Sequence, residues 1–249
     1  NISNQAPPST IGNTTPLTAT EIQPITEAPI TKELVFVDTK VSNYQALVDD
    51  IIKQGDSQRQ FEVIMLDTNK DGIAQITDTL VNNKDLNVVH LITHGSDGSL
   101  DIGNSQLNFQ TLSLHQDEIS TWSHAFADQG DILIYGCNVA QTQFGQSFVD
   151  YLSSLTQIDI AASENATGFS GLEADWNLEY QSGTIEAQNA ISLSEQERWT
   201  EQLAVTSNGT VTSAQTTNST NLTWSHTVTS GTNRVLIVQL AIDNLGAPA

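Results

Sequence analysis

The chain has 249 residues, enough to bury one good hydrophobic core and to leave room for a small second unit. Eight Lys and Arg stand against 29 Asp and Glu, which gives a formal net charge of −21. That charge argues against nucleic acid and anionic membrane surfaces as partners, because both repel an acidic protein. The single cysteine excludes an internal disulfide, and no apolar run is long enough to cross a membrane.

The first 32 residues are predicted to be a disordered linker rich in Pro and Thr. Five of the six prolines fall within residues 1–30, mixed with Thr, Asn and Ser. The chain also begins without Met and stops within a repeating apolar pattern. We therefore expect it to be part of a longer, multidomain polypeptide.

Residues 33–199 alternate between short apolar runs and segments with helical spacing of apolar residues, which predicts one α/β domain. Near-continuous apolar strands are typical of a mostly parallel sheet with helices on both faces, a three-layer sandwich. Small antiparallel excursions are expected around 100–109 and 168–180. The predicted sheet strands are 34–37, 61–66, 86–92, 132–135 and 158–162.

After residue 199 the composition changes to Thr, Ser and Asn with almost no charge. Residues 222–228 and 235–242 have the pattern of strands, but so few strands cannot close a sandwich alone. Residues 200–204 are therefore predicted to be an exposed linker, and 205–249 the truncated start of an all-β, sandwich-like domain.

Two strand ends carry residues that could do chemistry. His94 and Gly95 follow the third predicted strand, and Gly136 and Cys137 follow the fourth. Parallel sheets bring the carboxyl ends of their strands to one edge, so a thiol and an imidazole would meet there. A thiol beside an imidazole is the arrangement of a cysteine nucleophile and its general base, although a lone cysteine is more often a buried apolar residue.

The backbone around Cys137 and His94 strengthens the catalytic interpretation. We expect Cys137 to begin the turn into a helix, where the helix dipole would stabilise its thiolate. The backbone N–H groups of Gly95 and Cys137 are candidates for holding the oxyanion formed when a thiolate attacks a carbonyl. His90, inside the third strand, is expected to be a hydrogen-bonded core histidine instead.

Residues 67–78 imitate a calcium-binding loop through Asp67, Asn69 and Asp71. A strand precedes this loop, and an aspartate replaces the bidentate glutamate at its twelfth position. The loop is therefore better explained as a strand-to-helix turn that Asp71 caps. We expect no metal site and no cofactor.

The strand ends at 91–95 and 133–137 resemble the His-Gly and Gly-Cys strand ends of caspase-like, clan CD cysteine peptidases. More closely, residues 33–199 resemble the DUF4347 domain, a caspase-like module of large bacterial surface or secreted repeat proteins. The resemblance implies a caspase-like fold, a catalytic His94 and a nucleophilic Cys137. Further matching landmarks are 34–38, 66–67, 71–72, 161–164 and 176–179.

Three functions remain open from the sequence. The first is a cysteine endopeptidase that cuts its own chain or a neighbouring one during export, with 200–204 as the first choice of cleavage site and the lead-in before Glu33 as the second. The second is a catalytically inactive caspase-like module of an adhesin-type surface protein. The third and weakest is a flavodoxin-like ligand-binding sheet, because no phosphate loop follows any strand. The first two imply a bacterial protein that is secreted or at the cell surface.

Overall fold

The computed structural model describes residues 30–204. The expected linker at 1–29 and the expected β-domain at 205–249 lie outside the described residues. The strands are β1 (Thr31–Asp38), β2 (Arg59–Leu66), β3 (Leu86–Ile92), β4 (His94–Ser96), β5 (Ser99–Ile102), β6 (Ser105–Asn108), β7 (Phe126–Tyr135), β8 (Asp159–Ala162) and β9 (Tyr180–Gln181). The α-helices are α1 (Tyr44–Gln54), α2 (Gly72–Val81), α3 (Phe109–Leu114), α4 (Gln116–Ile119), α5 (Gln143–Thr156) and α6 (Leu193–Arg198), and short 3₁₀ helices cover Ser120–Ala125 and Ser170–Leu172.

The central sheet has six strands in the order β2-β1-β3-β7-β8-β9. Its first five strands are parallel, and only β9 runs antiparallel to its neighbour β8. The inner strands β1 and β3 are almost wholly buried, and so is the second part of β7, residues 130–135, as expected of strands covered on both faces. The predicted α/β fold with a mostly parallel sheet is confirmed.

Helices cover both faces of the sheet and complete a three-layer sandwich. One face packs against α2 and α5 through side chains such as Ile76 and Phe148. The other face packs against α1, through Leu47 and Ile51, and against Trp199 after α6. The two apolar clusters lie on opposite sides because successive strand residues point to opposite faces.

A small three-stranded antiparallel sheet, β4-β5-β6, follows β3 directly. It matches the predicted excursion around 100–109. The second predicted hairpin, at 168–180, is wrong: that segment contains a 3₁₀ turn, and only the two residues of β9 pair with β8. Alternating apolar residues there bury single side chains such as Trp176 without forming a strand ladder.

No helix within residues 30–204 is both long enough and apolar enough to cross a membrane.

Candidate functional site

His94 and Cys137 occupy matching positions at the ends of neighbouring strands. In β3 and β7, Ile92 is paired with Tyr135, and Thr93 N–H donates to the Tyr135 carbonyl at 3.1 Å. Continuing this register by two residues sets His94 beside Cys137. Parallel strands in register point equivalent side chains to the same face, and the pairing of β3 with β7 brings the two strand ends to one edge of the sheet.

Gly95 makes the close approach of the two strand ends possible. A Cβ atom at this position would lie 2.9 Å from the carbonyl carbon of Gly136, 3.0 Å from the carbonyl oxygen of Cys137 and 2.7 Å from a methyl group of Val139. These distances are shorter than normal van der Waals contact, and two of the three atoms belong to backbone. Only glycine fits here without displacing the strand that carries Cys137.

The imidazole of His94 is oriented by a backbone carbonyl. Its Nε2 lies 3.3 Å from the carbonyl oxygen of Lys40, which can only accept a hydrogen bond. This contact favours the tautomer with the proton on Nε2 and the lone pair on Nδ1. Nδ1 is buried and has no hydrogen-bond partner among residues 30–204. His94 is thus held in a tautomer that leaves one basic nitrogen available.

Asp38, at the end of β1, fixes the loop that carries the Lys40 carbonyl. Its buried carboxylate accepts the N–H of Lys40 at 2.8 Å and the N–H of Gly103, in the β5–β6 turn, at 2.8 Å. Burial raises the pKa of Asp38 in spite of these bonds and the nearby Lys40 charge. This role of Asp38 and Lys40 was not predicted from the sequence. A polar residue ending an apolar strand at the same sheet edge was the signal that could have found it.

The Cys137 thiol is wholly buried and hydrogen-bonded to the backbone of Thr167. Sγ accepts the Thr167 N–H at 3.1 Å, and the S–H group points to the Thr167 carbonyl at 3.5 Å. Burial raises the pKa of Cys137. The expected helix N-terminus at this residue is wrong, since the next helix, α5, begins at Gln143. In residues 30–204 no hydrogen bond joins Cys137 to His94.

One carbonyl oxygen lies between the two backbone donors that the sequence identified for an oxyanion. The carbonyl of Leu203 accepts the N–H of Gly95 at 3.2 Å and the N–H of Cys137 at 3.4 Å. Both N–H groups therefore converge on the same point. A pair of backbone donors converging on one carbonyl oxygen is the geometry by which oxyanion holes stabilise acyl-transfer intermediates.

Leu203 belongs to a short extended segment, 201–204, that lies along the site. Leu203 N–H donates to the Thr167 carbonyl at 2.9 Å, and Phe169 N–H donates to the Glu201 carbonyl at 2.9 Å. The Leu203 side chain is fully buried in the apolar cluster that also contains Cys137. The predicted exposure of residues 200–204 is therefore wrong at Leu203, because its backbone and side chain both find partners in the preceding domain.

The calcium-like loop serves to cap a helix. Asp71 accepts the N–H of Ala74 at 2.9 Å and so caps α2, as expected. Asp67 accepts the N–H of Asn69 at 2.9 Å and lies 3.4 Å from the Lys70 ammonium group. Within the described part of the chain, no three acidic, His or Cys side chains cluster closely enough to hold a metal ion.

His90 is a core histidine, as predicted. Its Nε2 lies 2.8 Å from a Glu33 carboxylate oxygen and its Nδ1 lies 3.2 Å from the Tyr135 hydroxyl. Arg59 pairs with the same carboxylate. Burial lowers the pKa of His90, and the Glu33 contact opposes this effect. The group ties β1, β2, β3 and β7 together and does not reach the strand ends.

A family model described as a domain of unknown function, DUF4347, matches residues 34–203. No curated protein matches the chain. A solved structure titled "Crystal structure of a small-chain dehydrogenase" is similar over 52% of this chain and 78% of its own, with 8% identity and a TM-score of 0.30. That similarity is too low to support a conclusion. The family match covers more than half of the chain, and the chain belongs to the DUF4347 family.

Proposed function

We propose that the domain is a caspase-like cysteine endopeptidase that acts on its own chain or on a neighbouring one. The observation that carries the proposal is the convergence of the Gly95 and Cys137 N–H groups on one peptide carbonyl. This pair of donors lies at the chain's only cysteine. The carbonyl held by these two N–H groups belongs to the extended segment 201–204, so the proposed substrate is an extended peptide.

The reaction would start with the transfer of the Cys137 S–H proton to Nδ1 of His94. For this, the thiol leaves the Thr167 carbonyl and turns toward the imidazole. The thiolate then attacks a peptide carbonyl carbon, and the two N–H groups hold the negative oxygen. His94 returns the proton to the leaving amine, and water hydrolyses the thioester.

The Lys40 carbonyl completes this arrangement as a positioning group. It accepts the Nε2 proton of His94 and keeps that nitrogen from acting as the base. Such a third group orients the base in many nucleophilic enzymes. A backbone carbonyl has no charge, so its role here is to orient the imidazole.

The cellular setting belongs to the same proposal. The high acidity and the resemblance to modules of large repeat proteins favour a place in a secreted or cell-surface bacterial protein, of adhesin type. The partners would be peptide segments, either of this polypeptide or of its neighbour. A cleavage site tethered to the domain meets the thiol at high effective concentration.

A second candidate function is a catalytically inactive module of such a surface protein. The specific observation in its favour is the resting state of Cys137, a buried thiol with a raised pKa and both of its hydrogen bonds on Thr167. In this alternative, segment 201–204 is simply the last strand of the domain, and the thiol contributes only to packing.

Loss of the full-length chain under reducing conditions distinguishes the two functions. The purified chain and its Cys137→Ala, His94→Ala and His124→Ala variants are incubated at neutral pH and followed by denaturing electrophoresis. His124 is exposed and distant in the fold, and it serves as the matched histidine control. An endopeptidase predicts cleavage in the wild type and in His124→Ala only. Equal behaviour of all four proteins would support the inactive module.

A further inference from the structure

We infer that the bond cleaved is the one between Leu203 and Ala204, and that the site selects leucine on the acyl side of the bond. This inference rests on the proposed function and adds the position and the specificity. The carbonyl carbon of Leu203 belongs to that bond, and its oxygen already lies against the N–H groups of Gly95 and Cys137. No other carbonyl in residues 30–204 accepts both donors.

The backbone around Leu203 is held as a substrate strand would be. Residues 201–203 run antiparallel to 167–169, with hydrogen bonds from Leu203 N–H to Thr167 and from Phe169 N–H to Glu201. Main-chain pairing of this kind binds an extended peptide independently of its side chains. The Thr167 carbonyl accepts both the Leu203 N–H and the Cys137 S–H, so one peptide group links the substrate strand to the nucleophile.

The backbone of segment 201–202 approaches Gly168 so closely that only glycine fits there. The φ of Gly168, +138°, is rarely adopted by other residues, and a Cβ there would overlap the carbonyl oxygen of Glu201. The neighbouring backbone thus depends on glycine for the approach of 201–202. This observation is independent of the Gly95 and Cys137 contacts and points to the same segment.

The Leu203 side chain defines the specificity. It has no exposed surface and lies in the apolar cluster with Val41, Trp199 and Cys137. A charged side chain placed there would be buried without a partner. Cleavage of such a variant should therefore be slower by about a hundredfold or more. Smaller apolar side chains would fill the space less well, and methionine has nearly the right volume.

The family match ends at the same residue as the first product of the proposed cleavage. It runs from residue 34 to residue 203 and ends at the residue whose carbonyl is held. Cleavage after Leu203 would release the complete matched domain from everything that follows. The Ala204 residue, which pairs with Gly95 across the site, would become the new amino terminus.

The step balances with water as the only co-reactant. Cys137 Sγ forms a bond to the Leu203 carbonyl carbon while the bond from that carbon to the Ala204 nitrogen breaks. The thiol proton passes through His94 to the Ala204 amine. Water then supplies a hydroxyl group to the Leu203 acyl group and a proton to Sγ. The products are a chain ending in a Leu203 carboxylate and a chain beginning at Ala204.

Intact-mass spectrometry of the 249-residue protein tests the inference. The chain is expressed with wild-type sequence and as Leu203→Asp, Leu203→Met, Thr200→Asp and Cys137→Ala, and each is incubated in reducing buffer at neutral pH. Thr200 is exposed and precedes the paired segment, so Thr200→Asp controls for an added charge. We expect masses for 1–203 and 204–249 from the wild type, Leu203→Met and Thr200→Asp. We expect a loss of at least about 100-fold in Leu203→Asp and no cleavage in Cys137→Ala.

The outcomes separate this inference from the proposed function. Cysteine-dependent cleavage at another bond, or cleavage that Leu203→Asp leaves unchanged, overturns the inference and keeps the peptidase. An intact wild-type chain overturns the inference as well. In that case, alkylation of Cys137 that depends on His94 would still support the peptidase, whereas alkylation independent of His94 would overturn both.

Discussion

The carbonyl oxygen of Leu203 lies 3.2 Å from the backbone nitrogen of Gly95, in the strand β4 that also carries His94. The two residues are more than a hundred positions apart in the sequence, and they meet because segment 201–204 pairs with 167–169 and with Gly95. The same oxygen is 3.4 Å from the nitrogen of Cys137. The chain therefore holds one of its own peptide groups against its only thiol-bearing residue.

Gly95→Ala is predicted to damage both stability and the site. The new methyl group would overlap backbone atoms of Gly136 and Cys137, and relief of that overlap should cost about 1–3 kcal/mol in the free energy of unfolding. Movement of the Gly95 N–H away from the Leu203 carbonyl should slow self-cleavage by about 100-fold. Urea unfolding and the cleavage time course measure the two effects.

Gly55→Ala is the matched control for that variant. Its Cβ would meet no atom closer than 3.5 Å. It should leave the cleavage rate unchanged. Cleavage of Gly95→Ala at the wild-type rate would show that the Gly95 N–H is not part of the site.

Gly168→Ala is predicted to release the segment 201–203. The substitution introduces strain at a positive φ and an overlap with the Glu201 carbonyl, so the strand should lose its hydrogen bonds to 167–169. Hydrogen exchange at the Leu203 amide should become faster by at least about 10-fold. Gly98→Ala also has a positive φ but would contact only the Phe144 ring, and it should leave that amide protected. Equal protection of Leu203 in both variants would rule out this role for Gly168.

Asp38→Ala is predicted to weaken the orientation of His94. Loss of the carboxylate leaves the Lys40 and Gly103 N–H groups without an acceptor, at a cost of about 1–3 kcal/mol in unfolding free energy. The Lys40 carbonyl should then hold the imidazole less firmly, and the pH profile of cleavage should change. Asp56→Ala also removes an acceptor of two backbone N–H groups, at an exposed turn, and should leave that profile as in the wild type. An unchanged profile in Asp38→Ala would contradict the positioning role.

Asp131 is predicted to make stability fall as the pH rises from about 4 to about 6. Burial raises the pKa of this carboxyl to about 6, against its bonds to the N–H groups of Glu186 and Ala187. A raised pKa means that the folded state binds the proton more tightly, so its stabilising effect is complete at low pH and is lost through pH 6. Asp131→Asn should therefore gain stability relative to wild type across this range, by up to about 3 kcal/mol. A difference in unfolding free energy that does not vary with pH would contradict this assignment.

The sheet was predictable from sequence because its inner strands are buried on both faces. The apolar runs at 86–92 and 132–135 locate β3 and the last four residues of β7, and the common edge of their ends follows from parallel topology. The N–H groups of Gly95 and Cys137 could be identified for the same reason. Their positions depend on the backbone of the strand ends and on little else.

The position of Leu203 at the site was not predictable from the sequence. Leu203 lies beyond the last periodic element, and its backbone pairs with 167–169, whereas the pattern of 168–180 predicted a hairpin within that segment. The Lys40 carbonyl was not predicted because Lys40 lies in the irregular segment between β1 and α1, whose backbone direction no sequence pattern indicates. The pKa of Cys137 was expected to be low because a helix was expected to begin at this residue. The helix begins at Gln143 instead.

The pH dependence of Cys137 alkylation tests the central claim most directly. Because the chain has one cysteine, the rate of its reaction with iodoacetamide reports a single thiol. If His94 accepts the thiol proton, wild type and His124→Ala should react near pH 7 at least about 10-fold faster than His94→Ala. A single rise at alkaline pH, identical in all three proteins, would contradict the dyad and identify Cys137 as a buried structural thiol.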